Sequence, residues 1–189
     1  MKKVFILPGL FVTLFLSSYL VVAATKPPGV GGVLPETILS VPPKPEHQKY
    51  LGLAGEGRFI IPQIKAEVVL LEIFSMYCPY CQNEAPIVNE LYRTIENNRN
   101  LKEKVKLIGI GAGNSSFEVD VFRKKYNIEF PLFPDSDFSI HKIVGEVRTP
   151  YFIGVKIGEG GAHSIFYSKL GGIENPDKFI SLILDLSGI

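Results

Sequence analysis

The 189-residue chain contains two cysteines, and they stand close together as Cys78-Pro79-Tyr80-Cys81. With no third cysteine present, each thiol can close only on the other or on a second molecule, so the chemistry of this C-x-x-C pair is reversible thiol-disulfide exchange. As a structural staple the pair would close a ring of four residues, and so short a loop removes little chain entropy. Haem attachment needs a histidine directly after the second cysteine, where residue 82 is Gln. A zinc site needs further ligands, and His47, His141 and His163 are scattered singly along the chain.

Exchange chemistry places demands on the surroundings, and the flanking residues meet them. Val68-Val69-Leu70-Leu71-Glu72-Ile73-Phe74 is a short, nearly continuous apolar run of the kind a strand buried on both faces requires. Pro79 suits the first turn of a helix, and Ala85, Val88, Leu91, Tyr92 and Ile95 recur at helical spacing up to Asn97 and Asn98. Cys78 therefore falls at a strand-to-helix junction, where unpaired backbone N–H groups and the helix dipole favour negative charge. Lowering a thiol pKa from ~8.5 to ~7 corresponds to about 2 kcal/mol in favour of the thiolate. Cys78 is the expected nucleophile, and Cys81, one turn on and more buried, is expected to resolve the mixed disulfide.

Glu72 is the one charge within the Val68–Phe74 run. Buried beneath the cysteines it would have a raised pKa and could carry the proton of Cys81. The plainer alternative puts it at a sheet edge or pairs it with Lys65 or Lys106. Pro150, in Arg148-Thr149-Pro150-Tyr151, stands at the mouth of another predicted strand. A cis bond there would leave the Thr149 backbone free to pair with an extended partner beside the cysteines.

The rest of the chain supplies an α/β frame. Lys106–Gly111 reads as a strand, and Ser115-Ser116-Phe117-Glu118 offers a capping box for a helix running to Tyr126, with Asn127 as a left-handed cap. Phe130–Phe133 reads as a short strand and Ser139–Val144 as a short helix. Tyr151–Lys156 and Ile165–Leu170 form a hairpin pair, and Pro176–Leu186 a closing helix capped by Asn175. Strands and helices in that order predict a central mixed β-sheet flanked by helices on both faces.

Two N-terminal regions precede this frame. Met1-Lys2-Lys3, the apolar stretch Val4–Val22 and the small residues at Ala23 and Ala24 read as a signal peptide or, because residues 4–22 approach bilayer-spanning length, an N-terminal membrane anchor over residues 1–24. Either predicts a periplasmic or otherwise extracytoplasmic protein. Residues 25–45, with six prolines and three glycines between Pro27 and Pro45, read as a linker able to hold the domain at residues 46–189 off a membrane. Lys plus Arg number 20 against 19 Asp plus Glu, so the basic footprint of a nucleic-acid binder is absent.

Across roughly Phe59–Leu186 these residues resemble the thioredoxin superfamily, and more closely the exported, often membrane-anchored, TlpA-like disulfide reductases. The likeness runs through Val68–Cys81, Pro86 in the following helix, and Thr149-Pro150 before a strand. It implies a thioredoxin-like fold with a βα segment inserted between the C-x-x-C helix and the cis-proline strand. It further implies Cys78 as attacking thiol, Cys81 as resolving thiol, Pro150 as a cis-proline facing them, and Glu72 as the buried acid six residues before Cys78. Thr149, Tyr77, Pro79 and Tyr80 are then expected to line the substrate's path. Tyr77 stands where most members carry Trp, and the Pro-Tyr dipeptide is similar to that of glutaredoxins. The resemblance implies no cofactor beyond the redox-active Cys78-Cys81 disulfide and no metal. Its implied partners are exported cysteine-containing proteins and a membrane or periplasmic thiol donor. Two rival classes are a peroxiredoxin-like peroxidase and a non-enzymatic binding module. Ser75-Met76-Tyr77-Cys78 fits part of the peroxiredoxin motif, although residue 71 is Leu where that motif has proline.

Overall fold

The computed structural model describes residues 26–189, so the targeting or anchor segment read at residues 1–24 lies outside the described residues. In chain order the elements are β1 (Ile38–Ser40), α1 (Pro45–Leu51), β2 (Arg58–Ile60), β3 (Val68–Phe74), α2 (Pro79–Asn97), β4 (Val105–Ala112) and α3 (Ser116–Tyr126). They continue with β5 (Leu132–Asp135), α4 (Ser139–Ile143), β6 (Tyr151–Ile157), β7 (His163–Leu170) and α5 (Pro176–Ser187). The main sheet has the order β5-β4-β3-β6-β7. β3 and β4 run parallel, as do β4 and β5, whereas β6 is antiparallel to both β3 and β7. This is the mixed sheet expected, with the most apolar strand in its middle, where both faces are covered.

Strand alternation divides the core in two. Val68, Leu70 and Phe74 face α2, α3 and α5, packing against Val88, Leu91, Phe122 and Ile183. Val69, Leu71 and Ile73 face the other way, toward Leu51, Phe59, Ile61 and Ile140. Helix ends follow the expected chemistry. Ser115 and Glu118 form the capping box of α3, Asn127 closes it with φ 52°, and the Asn175 side chain accepts from Lys178 N–H at 2.8 Å. Strand β5 begins two residues later than read: Phe130 is a buried core anchor, and pairing to β4 starts only at Gly109 opposite Leu132.

The linker reading of residues 25–45 is corrected over much of its length. Leu34, Thr37 and Leu39 are buried, and β1 pairs antiparallel with β2. The prolines flank Ile38–Ser40 rather than interrupt it, and proline-rich chain is already extended, so it joins a sheet without loss of conformational preference. The folded domain thus begins well before residue 46. Gly31 N–H bonds the Ile165 carbonyl and Ile165 N–H bonds the Gly32 carbonyl, both at 2.8 Å, along the outer side of β7. On the opposite half of the sheet, β5 covers β4 only from Gly109 onward. Below that point the Tyr50 hydroxyl of α1 accepts from Leu107 N–H at 2.7 Å and donates to the Leu107 carbonyl at 3.3 Å. Among the described residues no helix is long and apolar enough to cross a membrane.

Candidate active site

The central strand delivers the site. Glu72 follows the parity of Val68, Leu70 and Phe74, so it points to the face covered by α2. The chain leaves β3 through Ser75–Tyr77, a turn fixed by two side-chain amides. Asn114 Oδ1 accepts from Met76 N–H, and Gln82 Nε2 donates to the Met76 carbonyl, each at 2.8 Å. Cys78 then caps α2, its Sγ accepting from Cys81 N–H at 3.4 Å, with Pro79 in the first helical turn.

Both thiols are free; Cys78 is half-buried and Cys81 wholly buried. They are driven apart electrostatically. Burial alone pushes the Cys78 thiol up, but hydrogen bonding from the Thr149 side chain, from Cys81 and from the Tyr80 backbone outweighs it and holds the thiol below its ordinary value. Burial raises Cys81 far above the usual cysteine range, and its bond to Cys78 and the nearby Glu72 charge add to the effect. The protonated Cys78 donates to the Thr149 carbonyl at 3.3 Å, and the Thr149-Pro150 peptide is cis. The two chain segments singled out in the sequence therefore meet at the Cys78 sulfur.

Glu72 is 3% exposed, and its pKa is pushed up to about 8 by burial first and then by the charges of Glu84 and Cys78. The edge or lysine-paired alternative fails on two counts: β3 is the middle strand, and Lys106 turns to Glu96 at 3.8 Å. Pro79 and Tyr80 are exposed beside the thiol. Tyr77 is exposed too, and its hydroxyl donates to Glu118, which holds the Glu118 carboxyl below its usual range.

Sequence reasoning overlooked three contributors. Glu84, three residues after Cys81, is a second buried carboxylate and accepts from Ile173 N–H. Burial pushes its pKa up, and the Ile173 N–H offsets part of that. A side chain at Gly172 would collide with the Glu84 carboxylate, so Gly172 is the residue that lets the loop close over it. The signal was present: Glu84 lies among Cys81, Ala85 and Val88, the apolar stripe of α2. Asn114, fully buried, follows β4 in a Gly-Asn-Ser turn that gave no sign of its reach to Met76. The third is Arg148, which lines the open grooves that meet at Thr149. Among the described residues no group of three or more His, Cys, Asp or Glu is placed to hold a metal ion.

A mixed sheet of this order, with a C-x-x-C pair opening the helix after the central strand and a cis-proline peptide against the first sulfur, defines the thioredoxin-like class. Within that class, the AhpC/TSA family model matches residues 52–167, more than half of the chain, and the chain belongs to that family. It is 32% identical over 97 residues to the thiol-disulfide oxidoreductase ResA of Bacillus thuringiensis subsp. konkukian, covering 50% of this chain and 53% of that protein. The chain thus spans about half the length of the curated relatives it matches. Among solved structures, StoA from Bacillus subtilis aligns with a TM-score of 0.55 at 20% identity, over 79% of this chain and 96% of that one. A secreted Mycobacterium tuberculosis disulfide oxidoreductase homologous to Escherichia coli DsbE aligns with a TM-score of 0.52 at 18% identity, over 69% and 90%. At these identities the structural matches establish the fold.

Proposed function

We propose that the protein is a thiol-disulfide oxidoreductase that reduces disulfides in exported cysteine-containing proteins. The observation that carries this reading is the placement of the two free thiols: half-buried Cys78 caps α2 with its Sγ 3.4 Å from the N–H of buried Cys81 and 3.3 Å from the Thr149 carbonyl, surroundings that hold one thiol below and the other above the ordinary cysteine range. The Cys78 thiolate attacks one sulfur of the substrate disulfide; a Cys78–substrate bond forms, the substrate bond breaks, and the released thiolate takes up a proton. Cys81 then gives up its proton and attacks Cys78 Sγ, which forms the Cys78–Cys81 disulfide and frees the second substrate thiol. Glu72, pushed up to about 8 and facing α2, is suited to receive that proton. The substrate gains two electrons and two protons, and an external dithiol donor must return the protein to its reduced form. Thr149, Pro150, Tyr77, Pro79 and Tyr80 would contact the incoming polypeptide. The apolar N-terminal sequence of residues 1–24 and the description of one structural neighbour as secreted favour an exported protein, with residues 4–22 as signal or anchor.

Insulin reduction with a dithiol donor tests the reading. The wild type is expected to be active, Cys78→Ala inactive, and Cys81→Ala to accumulate covalent mixed disulfides with its partners. Equal rates for wild type and Cys78→Ala would defeat the proposal, whereas hydrogen peroxide turnover without insulin reduction would favour the peroxidase alternative.

A further inference from the structure

Arg148 stands one residue before Thr149, exposed on the loop between α4 and β6. Two open grooves meet there. One passes Tyr80, Pro150 and Gly171; the other passes Tyr77, Gly113 and Phe138. Both include Arg148 and Thr149, and the Thr149 carbonyl touches Cys78 Sγ. A polypeptide held by its sulfur at Cys78 therefore has a path on either side of that sulfur, and Arg148 borders both.

The guanidinium is unengaged. Among the described residues Arg148 has no salt-bridge partner and makes no side-chain hydrogen bond, in contrast to Arg93, which is paired with Glu129, and Arg123, which is paired with Asp120. Nor does Arg148 figure among the groups that hold the Cys78 thiol down. No carboxylate among the described residues lines either groove. His141 does line one, but its Nε2 is 2.8 Å from the Val147 carbonyl. Glu118, nearby, is taken up by Tyr77 and the α3 cap. A chain lying in either groove thus meets one open positive charge and no carboxylate among the lining residues. An extended chain advances ~3.3 to 3.6 Å per residue, so an arginine side chain one residue from the contact point reaches the substrate positions next to its cysteine.

We propose that Arg148 selects disulfide substrates, specifically extended polypeptides with a carboxylate within two residues of the cysteine that Cys78 attacks. This rests on the oxidoreductase reading above. The guanidinium would pair with that carboxylate as the mixed disulfide forms, which steers approach and fixes register along the grooves. Because the path runs to both sides of Cys78, a through-running polypeptide fits it better than a small disulfide occupying one side.

The test uses the full chain and matched peptide disulfides with Glu, Gln or Lys two residues from the attacked cysteine, with glutathione disulfide as a separate arm. The wild type is expected to favour Glu over Gln by about three- to fivefold in kcat/KM, the size an exposed ion pair supplies, and the preference should shrink in 0.5 M salt, where the screening length is about 4 Å. In Arg148→Gln the Glu-to-Gln ratio should fall to about one, and in Arg148→Glu the Lys peptide should become the better substrate, an inversion no folding defect produces. Equal kcat/KM for the three peptides with wild type, or an unchanged ratio in Arg148→Gln, overturns the assignment while leaving the oxidoreductase reading intact. Faster turnover of glutathione disulfide than of every peptide overturns the choice of polypeptide. Failure of the wild type to reduce any of them removes the oxidoreductase reading itself, and this proposal with it.

Discussion

Replacing Glu72 by Gln should change how stability depends on pH, and the size of the change follows from its surroundings. The carboxyl is buried in the middle of the sheet and stays protonated to about pH 8, against 4.5 in an open chain. Between those values the native state holds a proton that the unfolded chain releases, so raising the pH favours unfolding by about 1.4 kcal/mol per pH unit. The stabilising contribution of the protonated acid is complete below pH 4.5 and is lost as the pH rises through 8. For this one group the loss amounts to about 4 kcal/mol between pH 5 and pH 9. Glutamine keeps the shape and the hydrogen-bonding capacity but has no proton to lose. Urea unfolding of the reduced wild type and of Glu72→Gln at pH 5, 7 and 9 should therefore show the mutant gaining on the wild type by about 3 to 5 kcal/mol across the range. Glu84 and Glu96 are also pushed up by burial, but they are present in both proteins, and the difference isolates Glu72. Parallel curves, differing by a constant to within about 1 kcal/mol, would refute the reasoning, because a carboxyl that ionises normally has no such linkage. In the same variant, trapped mixed disulfides should resolve about 100-fold more slowly at pH 9, where the wild-type Glu72 is ionised and can take up the Cys81 proton, the loss expected on removing a general base, while Cys78 remains open to alkylation.

Two further outcomes can be checked directly. In the reduced protein iodoacetamide should label Cys78 alone, with a rate that rises through a pKa below that of free cysteine, while wholly buried Cys81 stays unlabelled in the native state; equal labelling of both would undo the division of roles. Leu39→Ala, in β1, should cost about 2 to 5 kcal/mol in urea unfolding, as for any buried leucine, because its side chain is 3% exposed in the core that packs on Leu71 and Ile73. A loss below about 1 kcal/mol would return that segment to the status of a spacer.

The candidate site was legible because its signals are local. A buried strand, a proline in the first turn and two cysteines a turn apart specify the placement of Cys78 and Cys81, and the odd charge in Val68–Phe74 marks Glu72. The Thr149-Pro150 contact crosses 71 residues from Cys78 and was reached through resemblance, not through spacing. The N-terminal segment was misread because proline density was weighed against sheet formation, while the apolar positions Leu34 and Leu39, the part that packs, were too few to show a period. Glu84 and Asn114 act across the fold, through Ile173 N–H and Met76 N–H respectively, and no pattern within their own segments announces such partners.

The Tyr50 hydroxyl on Leu107 has a consequence for how molecules of this protein meet each other. Open N–H and C=O groups along a strand invite a foreign strand to add on, the first step toward swapped dimers and fibrils. At Leu107 that opening is occupied by a phenol, which can satisfy one residue's pair of groups but cannot propagate a ladder. On the far side of the sheet Gly31 and Gly32 occupy Ile165 in the same manner. The stretch before β3 acts as a stopper at both margins, so trimming it back would leave Cys78 and Cys81 in place but uncover two strand margins on which other chains can coalesce.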